Sequence, residues 1–194
     1  MRFAAFLAAA LLCSAAAAAA DKWREYGYLE NAFAIQFPAE PKITEGTYQT
    51  AIISVGARIY SLEQEGSRYT ATVADFSRTS FSEPTIIELA IDKLKHDGDV
   101  KVDIPHRVNE HFGRQLSIAG KDGSRSSVAL FYYQRRLYEI EGTILPTNED
   151  VESSDGARFQ QSLRFTNNAR PRDETLNRLL LNHPPVPDFA RAFI

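Results

Sequence analysis

The feature that most restricts this chain is a two-residue alternation of apolar and polar side chains that recurs along it. Val100, Val102 and Ile104 alternate with Lys101 and Asp103, and Phe33, Ile35 and Phe37 repeat the pattern before Pro38 and Pro41 close the segment. Arg58 to Gln64 and Gln115 to Ala119 behave in the same way. Successive side chains of an extended strand point to opposite faces, so each of these runs buries one face and wets the other. Tyr69 to Phe76 and Val128 to Tyr133 are apolar on both faces, which predicts central strands covered on each side.

Helical spacing is clear in one place. Ile86, Ile87, Ala90, Ile91 and Leu94 form a broad apolar stripe, with cap and proline start signals between Ser82 and Thr85 and a stop at Gly98. A second helix is expected within Thr147 to Ser162, where Phe159 and Leu163 stand four apart. Asp122-Gly123 predicts a tight hairpin turn. A further hairpin, turning at Gln134-Arg135, is expected to pair Val128 to Tyr133 with Leu137 to Thr143, although arginine is a poor residue for such a turn. Strict strand–helix alternation is missing, which excludes a doubly wound parallel sheet. The expected fold is α+β, an antiparallel β-sheet with helices packed on its faces, formed by one domain over residues 21–165.

The two ends carry different signals. Met1 to Ala20 has a positive Arg2, an apolar run from Phe3 to Cys13 and the small residues Ala18-Ala19-Ala20 before Asp21. That is the pattern of a Sec-type signal peptide cleaved at Ala20/Asp21, and it predicts a periplasmic protein. Cys13 is the one cysteine of the chain, so the mature protein would hold none. A disulfide framework, a thiolate nucleophile and a cysteine-ligated metal or cluster are thereby excluded. After the signal no stretch approaches the ~18 uncharged apolar residues of a membrane-spanning helix. Residues 166–194 gather Pro171, Pro184, Pro185 and Pro187 and are expected to form a flexible tail, in which Leu176, Leu179, Leu180 and Leu181 offer a short segment for docking on a partner. The balance of 22 Lys and Arg against 25 Asp and Glu argues against a nucleic-acid binder.

Metal binding would draw on His96, His106, His111 and His183. The odd separation of His106 and His111 puts them on opposite faces of a continuous strand, and only a turn between them reunites the pair; no metal and no cofactor is expected. Ser124, Ser126 and Ser127 follow Gly123 but lack the second glycine of a nucleophile elbow. Asp75 lies inside an apolar strand, where burial would raise its pKa and mark a site. Glu139 and Glu141 alternate with Tyr138 and Ile140, and are expected on the solvated face. Arg107, Arg114, Arg125, Arg135 and Arg136, with Tyr133 nearby, form a candidate binding surface for an anionic ligand, provided that their strands align.

The stretch Tyr28-Leu29-Glu30-Asn31-Ala32-Phe33-Ala34-Ile35-Gln36-Phe37-Pro38 resembles the opening of PsbP-like domains, in which an aromatic strand ends in proline. The order of elements from Trp23 to Phe165 is similar as well, and Phe37-Pro38-Ala39-Glu40-Pro41 matches the Phe-Pro-x-x-Pro of small exported bacterial proteins. The resemblance implies a sheet sandwiched between helices, as in Mog-type Ran-binding proteins, and a non-catalytic scaffold that binds other proteins. The tryptophan that usually follows the proline in photosystem PsbP is missing here, so no photosynthetic role and no functional residue is carried over.

Together these readings predict a soluble periplasmic binding module whose partner is an envelope protein or an anionic ligand. The competing expectation is a cell-envelope hydrolase using Asp75, Ser126 or a histidine in a cleft.

Overall fold

A computed structural model describes residues 23–64, 66–146 and 154–166. The expected signal peptide and all but the first residue of the expected C-terminal tail lie outside the described residues, as do His183 and the first part of the second expected helix. The described elements are β1 (Arg24–Tyr28), a 3-10 turn (Leu29–Asn31), β2 (Phe33–Phe37), β3 (Lys42–Gln49), β4 (Ser54–Gln64), β5 (Ser67–Asp75), α1 (Glu83–Asp97), β6 (Gly98–Val108), β7 (His111–Gly120), β8 (Arg125–Tyr133), β9 (Arg136–Ile144), α2 (Asp155–Gln161) and β10 (Arg164–Phe165). Seven strands form one antiparallel sheet in the order β3-β4-β5-β9-β8-β7-β6, and β1-β2-β10 form a second.

This is a β-rich fold, and it overturns the expected α+β sandwich with helices on the sheet faces. Two physical causes account for the difference. The second helix shrinks to the seven residues of α2, too short to cover a face. Its place is shared by the three-stranded sheet, whose β2 buries Phe33, Ile35 and Phe37 completely. Strands β1 and β3 are rich in charged and polar residues (Arg-Glu-Tyr-Gly-Tyr and Lys-Ile-Thr-Glu-Gly-Thr-Tyr-Gln), and no apolar alternation announced them.

Alternation along β8 divides the interior into two cores. Val128 and Leu130 join α1's Ile86, Ile91 and Leu94 on one side of the large sheet. Ala129 and Phe131 join Phe33, Phe37, Tyr60, Tyr138 and Phe159 on the other. Each fully buried Phe or Leu contributes roughly 1.5–3 kcal/mol of transfer free energy. Helix α1 starts where Ser82 Oγ accepts the Thr85 N–H and packs on β6, β7 and β8. Helix α2 approaches β9 backbone to backbone, because a Cβ on Gly142 would lie 2.5 Å from the Cα of Gly156.

Both expected hairpins form. At the β8–β9 turn, Gln134 and Arg135 have φ of 49° and 61°, the left-handed pair that a two-residue turn between twisted strands requires. Arginine occupies this disfavoured position with a compensation. Its guanidinium Nη2 donates to the carbonyls of Ser77 (2.7 Å) and Thr79 (2.9 Å), tying down the loop before α1.

Candidate functional site

Strand β9 sends Leu137, Glu139, Glu141 and Thr143 to one face, and Leu137 belongs to the core beneath α1. The two glutamates therefore share a face as alternation dictates, but it is the face covered by α1 and not the solvated one. Glu139 is only 5% exposed. Its carboxylate accepts the Tyr48 hydroxyl at 2.6 Å and the Lys93 ammonium at 3.1 Å. Burial pushes the Glu139 carboxyl above the ordinary carboxylate value, against the pull of Lys93 and Tyr48. Burial and the adjacent carboxylate push the Tyr48 hydroxyl far up as well.

One step along the same face, Ser126 and Thr143 form a knot with Glu141. Ser126 Oγ donates to Glu141 Oε1 at 2.8 Å, Thr143 Oγ1 donates to the same oxygen at 3.0 Å, and the two hydroxyls lie 2.9 Å apart. Ser126 and Thr143 are buried. The knot is the polar wall of a pocket of about 350 Å³ at the C-terminal end of α1. Leu94 and Ile118 form its apolar wall, and Asp97, Lys121 and Arg68 stand around it. The β7–β8 turn completes the rim: Gly123, with φ of 88°, lets the chain reverse, and Asp122 Oδ1 accepts both the Ser124 N–H and its hydroxyl. These bonds hold the Asp122 carboxyl below its ordinary value.

The residues singled out in the sequence are placed as follows. Asp75 ends β5 at the surface, where its carboxylate accepts the Ser77 N–H at 2.8 Å. This bonding holds its carboxyl below the ordinary value, the opposite of a buried acid. Tyr133, Arg135 and Arg136 come together at the β8–β9 turn. Arg125 begins β8, eight residues before Tyr133, which is roughly 26 Å along a strand, and lines a separate pocket of about 280 Å³ beside Ser154 and Gly156. Arg114 is bonded to Asp103 at 2.7 Å. Arg107 donates to the Asn109 carbonyl and stacks over Phe112. Arg135 and Arg136 thus share one turn with Tyr133, and Arg125 lies at the far end of the hairpin.

The turn at Asn109 brings His106 and His111 to the same face of the β6–β7 hairpin. His111 packs on Tyr133 and Phe165, and His106 on Phe131. Nε2 of His106 is buried without a hydrogen-bond partner, and burial lowers its pKa. His96 lies on α1, where its carbonyl accepts the Lys121 ammonium at 2.7 Å. Among the described residues no three His, Cys, Asp or Glu side chains are grouped to hold a metal ion, and no helix is long and apolar enough to cross a membrane.

Tyr48, Lys93 and Thr143 escaped the sequence reading. Alternation alone could have linked Thr143 to Glu141, but only knowledge of which face α1 covers reveals that both are inside.

No protein-family model and no curated protein matches the chain. Among solved structures it is similar to cyanobacterial PsbP (CyanoP) from Synechocystis sp. PCC 6803, at 9% identity and a TM-score of 0.49, over 79% of this chain and 98% of that one. It is also similar to the Pseudomonas aeruginosa protein PA94, at 8% identity and a TM-score of 0.38, over 74% and 98%.

Proposed function

We propose that this chain is an exported, non-catalytic binding module of the cell envelope, and that its contact site is the pocket at the end of α1. Export to the periplasm rests on Met1 to Ala20 and the Ala20/Asp21 cleavage site. The expected partner classes are an envelope protein and an anionic ligand; the pocket favours a small ligand over a protein, and its carboxylates speak against an anionic one. The observation that carries this reading is the Ser126–Thr143–Glu141 knot. Two buried hydroxyls and a carboxylate are oriented by one another and face an open cavity beside apolar Leu94 and Ile118. The lining is mostly polar, with Leu94 and Ile118 as its apolar part, so it suits a polar ligand rather than the largely apolar one of a typical site.

The test is thermal-shift screening of residues 21–194 against a panel of small polar metabolites, repeated on a Ser126→Ala/Thr143→Val variant. Ligands that raise the Tm of the native protein and fail on the variant are the expected result. A panel without effect, or one acting equally on both proteins, would overturn the pocket assignment. Recovery of a periplasmic form beginning at Asp21 checks the export reading separately.

One observation favours a hydrolase instead: Ser126 lies in this cleft with its hydroxyl on a carboxylate. Its described hydrogen-bond partners are Glu141 and Thr143, and a serine nucleophile is usually activated by an imidazole base. Ester turnover that vanishes on Ser126→Ala would support that reading over binding alone.

A further inference from the structure

We propose that the pocket at the end of α1 selects a small organic cation, a ligand carrying an ammonium group on a short carbon skeleton. This inference rests on the binding reading above and gives it a ligand class.

The charges around the cavity decide the sign. Arg68 Nε is paired with Glu63 Oε2 at 2.9 Å, which offsets its charge, whereas the Lys121 ammonium donates to the neutral His96 carbonyl at 2.7 Å and stays positive. Lys121 therefore counts as one positive charge in the lining. Three carboxylates remain: Asp97, Asp122 and Glu141. Asp122 is kept ionised by the two hydrogen bonds from Ser124. The fifteen-residue α1 ends here with Leu94 and Asp97 in the lining, and the negative end of its dipole adds to the same field. Three carboxylates against one uncompensated ammonium leave the lining net negative, so a cation is favoured over an anion.

The shape of the polar wall agrees. Both hydroxyls of the knot are drawn to one carboxylate oxygen, Glu141 Oε1, so Oε2 carries neither of these bonds. A charge-assisted hydrogen bond from a ligand N–H to such a preoriented carboxylate is stronger than a neutral one. Leu94 and Ile118 then take the carbon skeleton. The volume, about 350 Å³, lies near the lower end of the roughly 300–1,000 Å³ typical of ligand sites, which suits a small ligand.

Titration calorimetry on residues 21–194 tests this with 1,4-diaminobutane and glucosamine as cationic probes, glucose and succinate as neutral and anionic ones, and calcium chloride as a metal. The expected result is binding of the amines that weakens as salt rises, with no binding of succinate. Glu141→Gln should weaken the amines about tenfold, the loss of one charge-assisted bond. Asp97→Asn, at the rim, serves the same purpose should Glu141→Gln fail to fold. If glucose binds as well as glucosamine, or succinate binds and the amines do not, the cation assignment is wrong while the pocket remains a binding site. Calcium binding that depends on Glu141 would replace the organic class with a metal. If no probe binds, the cation inference and the pocket assignment both fall.

Discussion

The hydroxyl of Tyr48 on β3 donates to the carboxylate of Glu139 on β9 at 2.6 Å, across 91 residues of sequence and beneath the helix that supplies Lys93. Edge strand, central strand and helix are thus joined at one buried acid. The three residues are unequal in what their loss costs. Removing Lys93 leaves a desolvated carboxylate without its charge partner, whereas removing the Tyr48 hydroxyl takes away one hydrogen bond.

Lys93→Met is accordingly expected to destabilise the fold by roughly 3–5 kcal/mol, as breaking a buried ion pair does. Tyr48→Phe should cost about 1–2 kcal/mol. The double variant Lys93→Met/Glu139→Gln should recover most of the first loss, because no charge is then left buried. Urea unfolding of the four proteins at neutral pH measures all of this. Equal losses for Lys93→Met and the double variant would mean that Lys93 acts through packing of its methylenes alone.

The same carboxyl gives stability a pH slope. Its folded pKa lies above the ordinary 4.5 because of burial, so between 4.5 and the raised value the native state holds a proton that the unfolded chain has lost. This contribution is complete below 4.5 and disappears as pH rises through the folded value. Glu139→Gln should abolish that decline, which unfolding free energies at half-unit pH steps will reveal. Lys93, Tyr48 and Glu141 are the charged or titratable groups named in its surroundings, and the ordinary pKa of tyrosine and lysine lies well above this window.

Close backbone contact between β9 and α2 makes a further demand. Because a methyl group on Gly142 would stand 2.5 Å from the Cα of Gly156 and 2.6 Å from its carbonyl oxygen, Gly142→Ala must push α2 off the sheet. A loss of about 1–3 kcal/mol is expected from such overpacking, against little change for Gly56→Ala, where a Cβ meets nothing within 4 Å. Comparable denaturation midpoints for the two variants would show that α2 shifts without cost.

Apolar alternation located β2, β6 and β7 from Phe33, Val100 and Leu116 and their neighbours, but it misjudged the faces of β6: Val102 and Ile104 are exposed, and a register shift between Val100 and Val102 interrupts the pairing with β7. Strand β3 could not be located this way, since Tyr48 is its one buried residue and a single tyrosine sets no period. The site was hidden for another reason. Glu139 and Glu141 look solvated beside Tyr138 and Ile140, and the partners of Glu139, Lys93 and Tyr48, come from α1 and β3. Which face a helix covers is a tertiary fact, and the local pattern of β9 holds no record of it. The arginines illustrate the converse: one patch is expected on condition that their strands align, and Arg125 and Arg136 sit at opposite ends of the β8–β9 hairpin.

His106 supplies the last test, with the opposite sign to Glu139. Its Nε2 is buried without a partner beside Phe131, and burial lowers its folded pKa below 6.5. The unfolded chain therefore takes up a proton that the native ring resists, and stability falls as pH drops below 6.5 until the lowered folded value is reached. His106→Leu should remove this acid-side loss while keeping the ring's packing volume in part. Glu139 favours acid and His106 opposes it, so the two slopes have opposite sign, that of Glu139 running upward from pH 4.5 and that of His106 downward from 6.5. Each single variant should then tilt the profile, Glu139→Gln toward greater loss in acid and His106→Leu toward less. Parallel stability profiles for native protein and His106→Leu across that window would mean that the imidazole titrates alike in the folded and unfolded chain.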